Sequence, residues 1–435
     1  MSASNQQPRV RAATSSGRVA ASSTPAFSST AENGLGADSR ARVILHKGRA
    51  RPLWYGHPWV YGNAVARLDG EAHPGDIVSV SDHDGRFIGR GLWNPRSQIP
   101  VRLCTRKDEA VDTGFFVGRI AAAHARRARL GLPSDKTTAY RLVNSEGDDL
   151  PGLVVDVFGK SASVQVTTLG MALRREALFD AIERAVAAEA VYEVSAASYA
   201  DLEGFIAQPR LVRGGRGENS EAGVPRAACR EDGIELEVEP LSGQKTGMFV
   251  DQRENRARVG RLARGARVLD CYSYAGGFAL QAARGGAKEV TAVDSSARAV
   301  ARIEAHAKRN GVEIRAVEAD TFRFLETATP RAYDLVVIDP PKFARARKDL
   351  DAARKGYERL NALALTACAE GAILVTCSCS QNVTAEDFER VVAAGAKQAG
   401  RSVKVFEMTG PGADHLLPPG FVEGQYLKVI FAEVD

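Results

Sequence analysis

Residues 267–278 read RVLDCYSYAGGF, and this stretch decides the fold of the C-terminal half. A short apolar run ends at Asp270, and small and polar residues lead from it to the pair Gly276-Gly277. Glycines at such a place let a ligand approach the backbone just before a helix begins. The pattern predicts a strand, a ligand-binding turn and a helix, in that order.

Five apolar runs of this kind follow one another after Met248, and each is followed by a stretch with helical spacing. The runs are RVLDCYS (267–273), EVTAVDSS (289–296), IRAVEAD (314–320), DLVVIDPP (334–341) and AILVTCSCS (372–380). Regular alternation of strand and helix predicts a parallel sheet with helices on both faces. Such sheets bind their ligands at the carboxyl ends of the strands, where the unusual residues of this half are found.

Acidic residues end three successive strands of the predicted sheet. Asp294 comes 24 positions after Asp270, where a carboxylate can accept hydrogen bonds from both ribose hydroxyls of an adenosine. Asp320 ends the third strand, near the place of an adenine amino group. One such acid is typical of a helix cap, but three of them together with the glycine loop favour an adenosine-binding pocket.

Two cofactors contain a ribose that suits such an acid, NAD and S-adenosylmethionine. The turn lacks the GxGxxG fingerprint, and no helix N-terminus is clearly prepared for a pyrophosphate, which argues against NAD. The final segment, 425–434, adds one more strand. The pattern resembles the class I S-adenosylmethionine-dependent methyltransferases, in which that last strand is antiparallel. We therefore predict S-adenosylmethionine as the cofactor.

The fourth strand ends in DPPKF (339–343). Its prolines hold the chain extended and withhold amide donors, so that the Asp339 side chain and the backbone carbonyls are free to face a planar base. Methyltransferases of exocyclic amines often carry a related sequence with an aromatic residue at this point. Here Lys342 replaces the aromatic residue, which weakens the interpretation as an amine methyltransferase.

The fifth strand runs into LVTCSCSQ (374–381). No second Cys or Cys/His pair at zinc-ligand spacing accompanies Cys377 and Cys379, and without a secretory signal free thiols are the default. A thiolate that adds to carbon 6 of a pyrimidine makes carbon 5 nucleophilic towards a methyl sulfonium. Cys377 should still lie in the buried strand and pack like alanine, whereas Cys379 should reach the loop above the sheet. We therefore predict that Cys379 is the nucleophile.

Composition sets outer limits on the function. The 435 residues suffice for two or three domains, and 58 basic against 53 acidic residues give a net charge of +5, a weak indication of a polyanionic partner. No apolar run approaches the roughly 18 residues needed to span a membrane. The first forty residues are rich in Ser, Ala and Arg, with no acidic residue before Glu32. Such a segment is typical of a disordered tail or of an organellar transit peptide.

Two parts of the front half suggest contact with nucleic acid. Short alternating runs from Val43 to about Arg106 predict a small barrel, and aromatic and basic residues interleave at its start, in residues 46–62. These aromatic residues either pack in the core and turns or form an RNA-binding face. A second candidate is a predicted helix at 115–130, whose basic residues are Arg119, Arg126, Arg127 and Arg129. They either face solvent or contact phosphates.

Several separate stretches together resemble the bacterial 23S ribosomal RNA 5-methylcytosine methyltransferase family. They are HKGRARPLWYGHPWVYGNAV (46–65), YRLVNSEGDDLPGLVVDVFG (140–159), GQKTGMFVDQREN (243–255), DCYSYAGGF (270–278), DPPKF (339–343), SCS (378–380) and EGQYLKV (423–429). The resemblance runs from about Val43 to the C-terminus. It departs from the family's pattern at the N-terminal tail and at Gln381, where a glycine would be usual.

The resemblance implies an α/β protein whose C-terminal domain is a Rossmann-like class I methyltransferase sheet. In front of it come a small PUA-like β-barrel and a mixed α/β central domain. The predicted boundaries are 1–40 for a disordered tail, 41–110 for the PUA-like RNA-binding domain, 111–240 for a linker helix and the central domain, and 241–435 for the methyltransferase domain. The family's nucleophile falls on Cys379, and its strand-four acid falls on Asp339.

We predict three sets of site residues. Catalysis is assigned to Cys379 and Asp339. The predicted cofactor-binding residues are Asp270, Tyr272, Ser273, Gly276, Gly277, Phe278, Asp294, Asp320, Thr321 and Asp339. The residues predicted to contact substrate RNA are Lys245, Arg253 and Lys342, and no metal site is predicted.

The predicted function is formation of 5-methylcytosine in 23S ribosomal RNA through a cysteine adduct at carbon 6. Two alternatives stay open. Methylation of a guanine in ribosomal RNA without a covalent step would make Cys379 dispensable, and a non-catalytic RNA-binding assembly factor would not bind S-adenosylmethionine. Ribosomal RNA is the predicted partner, without membrane or metal, and a homodimer stays open. The predicted location is the cytoplasm, or an organelle if the tail is a transit peptide.

Overall fold

The structure, a computed structural model, describes residues 36, 38–215, 225–243, 245–343 and 349–435. Within these residues the chain forms twenty strands and eleven helices. The predicted tail at 1–40 lies mostly outside the described residues, and the first strand already begins at Asp38. The Gly-, Arg- and Glu-rich composition of residues 213–226 predicts a surface loop, and most of this segment also lies outside the described residues.

The front of the chain forms a six-stranded sheet with one short helix. Its elements are β1 Asp38–Leu45, α1 Arg51–Trp54, β2 Trp59–Val60, β3 Val65–Asp69, β4 Ile77–Ser81, β5 Phe87–Trp93 and β6 Val101–Thr105. The strand order is β2-β6-β5-β4-β1-β3, and all neighbours are antiparallel except β1 and β4. Alternating apolar side chains from these strands form one core under the sheet. The predicted run of short strands is therefore present.

The middle of the chain forms a second sheet packed on helices. Its elements are α2 Thr113–Arg129, β7 Ala139–Asn144, β8 Leu153–Phe158, β9 Ser161–Val166, α3 Leu169–Ala172, α4 Arg175–Val186, β10 Ala190–Glu193, α5 Ala197–Glu203 and β11 Arg210–Gly214. The strand order is β11-β10-β9-β8-β7. From Met171 to about Ala190 the apolar spacing predicts one long helix, but the structure has two helices separated at Leu173 and Arg174.

The last part of the chain forms the seven-stranded sheet that carries the candidate site. A hairpin precedes it, β12 Ala227–Glu231 and β13 Ile234–Val238. The further elements are α6 Arg253–Leu262, β14 Arg267–Cys271, α7 Gly277–Arg284, β15 Glu289–Asp294, α8 Ala297–Asn310, β16 Arg315–Glu318, α9 Thr321–Thr327, β17 Tyr333–Ile338, α10 Leu350–Ala367, β18 Cys368–Ser378, α11 Ala385–Ala399, β19 Val403–Thr409 and β20 Lys428–Val434.

The topology of this sheet agrees with the prediction from alternating strands and helices. The order is β16-β15-β14-β17-β18-β20-β19, and the first five strands are parallel. The last strand, β20, is antiparallel to both β18 and β19, as the resemblance to class I methyltransferases implied. Strand β19, at the edge of the sheet, was not predicted.

Apolar side chains cover both faces of the seven-stranded sheet. On one face Val268 and Val337 pack against Phe278 of α7 and Ile303 of α8. On the other face a second cluster joins the strands to α9, α10 and α11. No helix among the described residues combines the length and the apolar character needed to cross a membrane.

Buried polar contacts join the central sheet to the last part of the chain. Asp414, 0% exposed, accepts hydrogen bonds through Oδ2 from the Arg141 backbone N–H at 2.8 Å and from Arg253 Nη1 at 2.6 Å. Asn144 Nδ2 donates to the carbonyl oxygen of Leu416 at 2.8 Å. A buried charge is tolerated only when it is paired and hydrogen-bonded, so these contacts fix the segment around Asp414 against the central sheet.

Three of the four arginines of α2 are paired within the protein, which argues against a phosphate-binding stripe, whereas Arg129 is exposed. Arg127 is fully buried, and its guanidinium donates to both carboxylate oxygens of Asp148 and to the carbonyl oxygen of Asp414. Arg126 also donates to Asp148, at 2.8 Å. Arg119 pairs with Asp149 at 3.1 Å. These three guanidinium groups are occupied by carboxylates of the protein itself.

Candidate active site

A cavity of about 750 Å³ lies at the carboxyl ends of the parallel strands. The turn after β14 and the end of β15 line one part of it, and the loops after β17 and β18 line another. Arg141 and Gln165 of the central domain complete its wall. The predicted site residues that line it are Lys245, Tyr272, Ser273, Gly277, Phe278, Asp294, Asp339, Lys342 and Cys379.

The turn after β14 is held in a conformation that few side chains adopt. Tyr272 and Tyr274 have φ of 61° and 52°, and Gly276 has φ of 81°. Left-handed backbone costs about 1–2 kcal/mol for a residue other than glycine, so the surrounding contacts must hold it. Ser273 supplies two of them, because its hydroxyl donates to the Asp270 carbonyl oxygen at 2.6 Å and accepts from the Val293 N–H at 3.1 Å. These contacts within the protein hold the turn in its left-handed conformation.

Asp294 is presented to the cavity at the end of β15. Its Oδ2 accepts the Tyr274 N–H at 2.9 Å, and its Oδ1 accepts the Ser296 N–H at 2.9 Å. Each oxygen keeps a second lone pair, so the carboxylate is oriented and can still accept hydroxyl protons. This arrangement suits the two ribose hydroxyls of an adenosine, as predicted from the sequence.

Four predicted cofactor residues do not line the cavity: Asp270, Gly276, Asp320 and Thr321. Asp270 lies behind the turn, where it accepts the Ala279 N–H at 3.0 Å, and burial raises its pKa to about 7. Its other oxygen, Oδ1, is buried without a hydrogen-bond partner among the described residues. Asp320 is exposed and accepts the Arg323 N–H at 3.0 Å. This contact is typical of a helix cap, which was the alternative to adenine binding.

Asp339 follows β17 directly, and its carboxyl group faces the cavity. Gln252 Nε2 donates to Asp339 Oδ2 at 3.1 Å. The pKa of Asp339 is raised to about 6, chiefly by burial and also by the negative charge of Asp251, against the opposing effects of the Gln252 hydrogen bond and of Lys245. A carboxyl group with such a pKa can both hold and release a proton near neutral pH.

The two cysteines of LVTCSCSQ have different surroundings. Cys377 is 0% exposed in β18, opposite Val429 of β20, and packs in the core. Cys379 is half-buried, one residue beyond the end of β18, and lines the cavity, where its Sγ lies 3.8 Å from the Pro340 carbonyl oxygen. The structure thus separates a packed thiol from one that a ligand can reach.

Electrostatics at Cys379 oppose ionisation of the thiol in the free protein. Burial raises its pKa, and so does the charge of Asp339. The ammonium groups of Lys245 and Lys342 act in the opposite direction. Because the net effect is upward, the thiol is protonated at neutral pH, and a group must take its proton when the sulfur attacks.

The three predicted RNA contacts have different placements. Lys342 is exposed at the cavity mouth. Lys245 also lines the cavity, where its Nζ donates to Asp251 Oδ2 at 2.8 Å and lies 4.4 Å from the centre of the Phe249 ring. Arg253 is 6% exposed and paired with Asp414, so its guanidinium is not presented to RNA.

A second set of contacts fixes the residues around Cys379. Lys428, at the start of β20, donates to the carbonyl oxygens of Ser380 at 2.7 Å and Tyr426 at 2.9 Å. Burial lowers the pKa of Lys428 to about 8. On the other side the Tyr357 hydroxyl lies 3.1 Å from both Ser378 Oγ and Ser380 Oγ. The two serines that flank Cys379 are therefore held in the protein interior.

Comparison with known proteins finds family matches in two parts of the chain. The family described as a PUA-like domain matches residues 43–106, and the family described as an S-adenosylmethionine-dependent methyltransferase matches residues 218–407. The ribosomal RNA large subunit methyltransferase I of Erwinia tasmaniensis is 37% identical over 393 residues, 89% of this chain and 98% of that protein. The protein of that name from Alteromonas mediterranea is 37% identical over 400 residues, 91% and 99% of the two chains. The chain belongs to the ribosomal RNA large subunit methyltransferase I family.

Solved structures agree with this methyltransferase fold. A Streptococcus mutans protein assigned to the SAM-dependent methyltransferases has a TM-score of 0.75 at 21% identity, and the match covers 90% of this chain and 99% of that one. A methyltransferase structure determined with SAH has a TM-score of 0.76 at 22% identity and the same coverage. The predicted fold class, a PUA-like domain before a class I methyltransferase domain, is confirmed. The predicted domain boundaries stay predictions.

S-adenosylmethionine is the cofactor of this methyltransferase, and the cavity fits it. Asp294 would hold the ribose, and the turn at 272–277 leaves room beside the backbone. A Cβ atom added at Gly277 would lie 2.5 Å from Arg256 Cδ, so this close packing requires glycine. Among the described residues, no group of three or more His, Cys, Asp or Glu is arranged to hold a metal.

Asp294→Ala is expected to weaken binding of S-adenosylmethionine to the methyltransferase by about 1.5–3 kcal/mol, roughly 10- to 150-fold in Kd, since it removes a charged hydrogen-bond acceptor. Calorimetric titration of wild type and variant measures this. Asp320→Ala is the matched control, because it removes a strand-end acid outside the cavity and should leave Kd within about twofold. Equal losses in both variants would restore the adenine contact first predicted for Asp320, and an unchanged Kd in Asp294→Ala would exclude the ribose role.

The sequence-based site missed several methyltransferase residues that line or support the cavity. Asp251 accepts hydrogen bonds through Oδ2 from Lys245 and, at 2.6 Å, from the Tyr426 hydroxyl, and its Oδ1 is buried without a partner among the described residues. Gln252 donates a hydrogen bond to the Asp339 carboxylate, and Lys428 donates one to the carbonyl oxygen of Ser380. All four of these missed residues, Asp251, Gln252, Tyr426 and Lys428, lie in the stretches GQKTGMFVDQREN and EGQYLKV. The stretches that carry the resemblance therefore include these four residues, but the sequence alone does not indicate what each of them does.

Proposed function

We propose that the protein methylates carbon 5 of a cytosine in large-subunit ribosomal RNA through a covalent adduct at Cys379. The observation that carries this proposal is a half-buried thiol in the same cavity as Asp294 and Asp339. The names of the relatives support ribosomal RNA as the substrate. A methyltransferase of exocyclic amines has no use for a thiol at this point, so the position of Cys379 favours a carbon nucleophile.

The thiol is required because carbon 5 of cytosine is a poor nucleophile. When Cys379 Sγ bonds to carbon 6, the double bond between carbons 5 and 6 is broken and carbon 5 becomes an enamine-like nucleophile. S-adenosylmethionine, when bound, supplies an electrophilic methyl sulfonium for that carbon. A base then removes the carbon 5 proton, the double bond forms again, and the bond between carbon 6 and sulfur breaks to release the Cys379 thiolate.

Asp339 is proposed to assist the attack of the thiol. Addition at carbon 6 moves electrons towards N3 and O2 of the cytosine, so a hydrogen-bond donor at N3 stabilises the transition state. A carboxyl group with a pKa of about 6 can supply that donor once it has accepted a proton. The Cys379 thiol must lose a proton in the same step, and Asp339 lies in the same cavity. One proton can therefore pass from the thiol to the carboxyl group and be shared with N3.

RNA binding is proposed to involve the exposed aromatic residues of the PUA-like domain. Trp54 and Tyr55 are 45% and 70% exposed at the end of α1. The Arg86 guanidinium lies 5.3 Å from the Trp54 ring centre, and that of Arg51 lies 5.8 Å from the Tyr55 ring centre. Rings with a cation beside them suit the stacking of unpaired bases next to the phosphate backbone.

Trp54→Ala and Tyr55→Ala are each expected to weaken binding of deproteinised large-subunit ribosomal RNA by about 1–3 kcal/mol, because each removes a stacking surface. The salt dependence of binding should not change, since neither ring carries a charge. Arg51→Ala should instead lower the slope of log K against log salt by about 1. Fluorescence anisotropy over a salt series distinguishes the two effects. Phe406→Ala removes a ring that is 48% exposed on edge strand β19, and equal losses in this control would argue against a specific RNA-binding face.

The location and the oligomeric state stay predictions. Action on bacterial ribosomal RNA supports the cytoplasm, because the relatives named for that reaction are bacterial proteins. The organellar alternative depended on residues 1–40, which lie mostly outside the described residues.

A further inference from the structure

The PUA-like domain contacts the active site through a turn that leads into β20. The turn, residues 419–424, passes the end of α1, and the main chains of the two segments lie close together there. A Cβ atom at Gly56 would lie 2.7 Å from the Pro419 carbonyl oxygen, and one at Gly420 would lie 2.9 Å from the Tyr55 carbonyl oxygen. The Phe421 ring centre lies 4.7 Å from that of Trp59 and 5.8 Å from that of His57. The turn is therefore packed into the PUA-like domain.

Glu423 lies at the centre of this contact. Its carboxylate takes one hydrogen-bonding group of the PUA-like domain on each oxygen: His57 Nε2 lies 3.0 Å from Oε2, and the Tyr61 hydroxyl donates to Oε1 at 2.7 Å. Burial would raise the pKa of Glu423, but the hydrogen bonds from Tyr61 and His57 bring it below its ordinary value. The carboxylate is thus ionised and held from both sides at neutral pH.

The backbone of Glu423 contacts a residue close to Cys379 in the sequence. Gln381 Nε2 donates to the Glu423 carbonyl oxygen at 2.5 Å, and Gln381 is two residues after Cys379. The loop that contains both, residues 379–381, is called the Cys379 loop. On its other side Lys428 and Tyr357 hold Ser380. The Cys379 loop is thus held on one side by residues of the methyltransferase domain and on the other side by the turn that packs against the PUA-like domain.

We propose that Glu423 is a positioning residue through which the PUA-like domain holds the Cys379 loop in place for attack on the cytosine. The proposal rests on the function proposed above and deepens it, because it gives the PUA-like domain a part in orienting the nucleophile besides a part in binding RNA. The Gln381 contact belongs to a residue that departs from the family's usual glycine.

The proposal predicts that loss of Glu423 slows the covalent step and leaves RNA affinity unchanged. In Glu423→Ala, the adduct with RNA that carries 5-fluorocytosine should form roughly 5- to 10-fold more slowly at saturating RNA, the equivalent of about one lost hydrogen bond. The Kd for RNA should stay within about twofold, because the carboxylate contacts His57 and Tyr61 and not Trp54 or Tyr55, the rings proposed to bind RNA. Glu423→Gln keeps an acceptor for Tyr61 and should recover part of the rate. Val422→Ala is the matched control, since Val422 is in the same turn and 67% exposed.

A second measurement needs neither RNA nor cofactor. Alkylation of Cys379 by iodoacetamide, followed by mass spectrometry, reports how firmly the loop is held. Glu423→Ala and Gln381→Ala should each speed up alkylation of Cys379 several-fold. The double variant should be no faster than the faster single variant, because both changes interrupt the same chain of contacts between the PUA-like domain and the Cys379 loop. Alkylation of the buried Cys377 should not change. Faster alkylation of both cysteines would mean general destabilisation and would contradict the proposal.

The two measurements separate failure of this proposal from failure of the proposed function. If wild type forms no adduct while alkylation of Cys379 still depends on Glu423, covalent catalysis is excluded, but the effect of Glu423 on the Cys379 loop is supported. If wild type forms the adduct but Glu423→Ala changes neither adduct rate nor alkylation, the positioning role is excluded. A raised Kd for RNA with an unchanged rate at saturation would make Glu423 an RNA-binding residue and would also overturn the proposal.

Discussion

Cys379→Ala is expected to lower methyl transfer by about 10⁴-fold or more, in line with the loss of a nucleophile in other enzymes. Without the thiol, no bond forms at carbon 6 and carbon 5 stays a poor nucleophile. The alternative of guanine methylation predicts that Cys379 is dispensable. Methylation of ribosomal RNA followed by nucleoside mass spectrometry measures the loss and identifies the modified base.

RNA that carries 5-fluorocytosine shows the adduct directly. Its fluorine cannot leave as a proton, so the enzyme stays attached to the RNA after methyl transfer. Wild type and Cys377→Ala should both give the covalent complex on a denaturing gel, and Cys379→Ala should give none. Cys377→Ala is the matched control, because its thiol is buried in β18 two residues away and a methyl group can replace it there.

Two outcomes would contradict the assignment in different ways. An adduct that persists in Cys379→Ala and vanishes in Cys377→Ala would exchange the roles of the two cysteines. Turnover of ordinary RNA without an adduct in any variant would exclude covalent catalysis. The fold, the cofactor and the family would be unaffected by either result.

Asp339→Asn is expected to slow adduct formation at pH 7 by about 10²–10⁴-fold, the usual contribution of a general acid or base. Asparagine can donate a hydrogen bond to N3, but it cannot take the thiol proton. Asp339→Ala should lose at least as much, because it also removes the hydrogen-bonding group. An Asp339→Asn variant with full activity would exclude proton transfer to Asp339, and full activity in Asp339→Ala would exclude any role for it.

The pH dependence follows from the one proton that Asp339 and Cys379 share. Below the Asp339 pKa of about 6 both groups are protonated, so the rate of adduct formation should rise with pH up to that value. Between pH 6 and the raised pKa of the thiol the pair holds one proton, and the rate should be level. In Asp339→Asn the rate should instead rise about tenfold per pH unit throughout this range, because only the free thiolate can attack. Single-turnover measurements from pH 5 to 9 distinguish a level profile from a rising one.

The sequence was sufficient for the parts of the fold that depend on local pattern. The strands that carry Asp270 and Asp294 at their ends or lead directly to Asp339 could be predicted, because each is a short apolar run closed by polar or small residues. The different surroundings of Cys377 and Cys379 also follow locally, since a strand that ends between them leaves one thiol in the sheet and the other in the loop.

The sequence was not sufficient where the deciding partner comes from a distant segment. Arg127 on α2 pairs with Asp148, and Arg253 pairs with Asp414, which is 161 positions away. A local pattern shows an arginine but not the carboxylate that buries it, so both looked available for RNA. The same reason applies to Glu423, whose partner His57 is 366 positions away.

The buried contacts around Asp414 also bear on how the protein loses its structure. Separating the central sheet from the methyltransferase sheet would break, at the same time, the bonds from the Arg141 backbone and Arg127 to Asp414 and from Thr246 to Asp156. Each of them involves a charged group and contributes about 1.5–3 kcal/mol. A state with only one of the two sheets folded is therefore disfavoured, and hinge motion between them is restricted. These two sheets should therefore denature together in one cooperative transition, and the catalytic domain is not a module that could be exchanged without the central one.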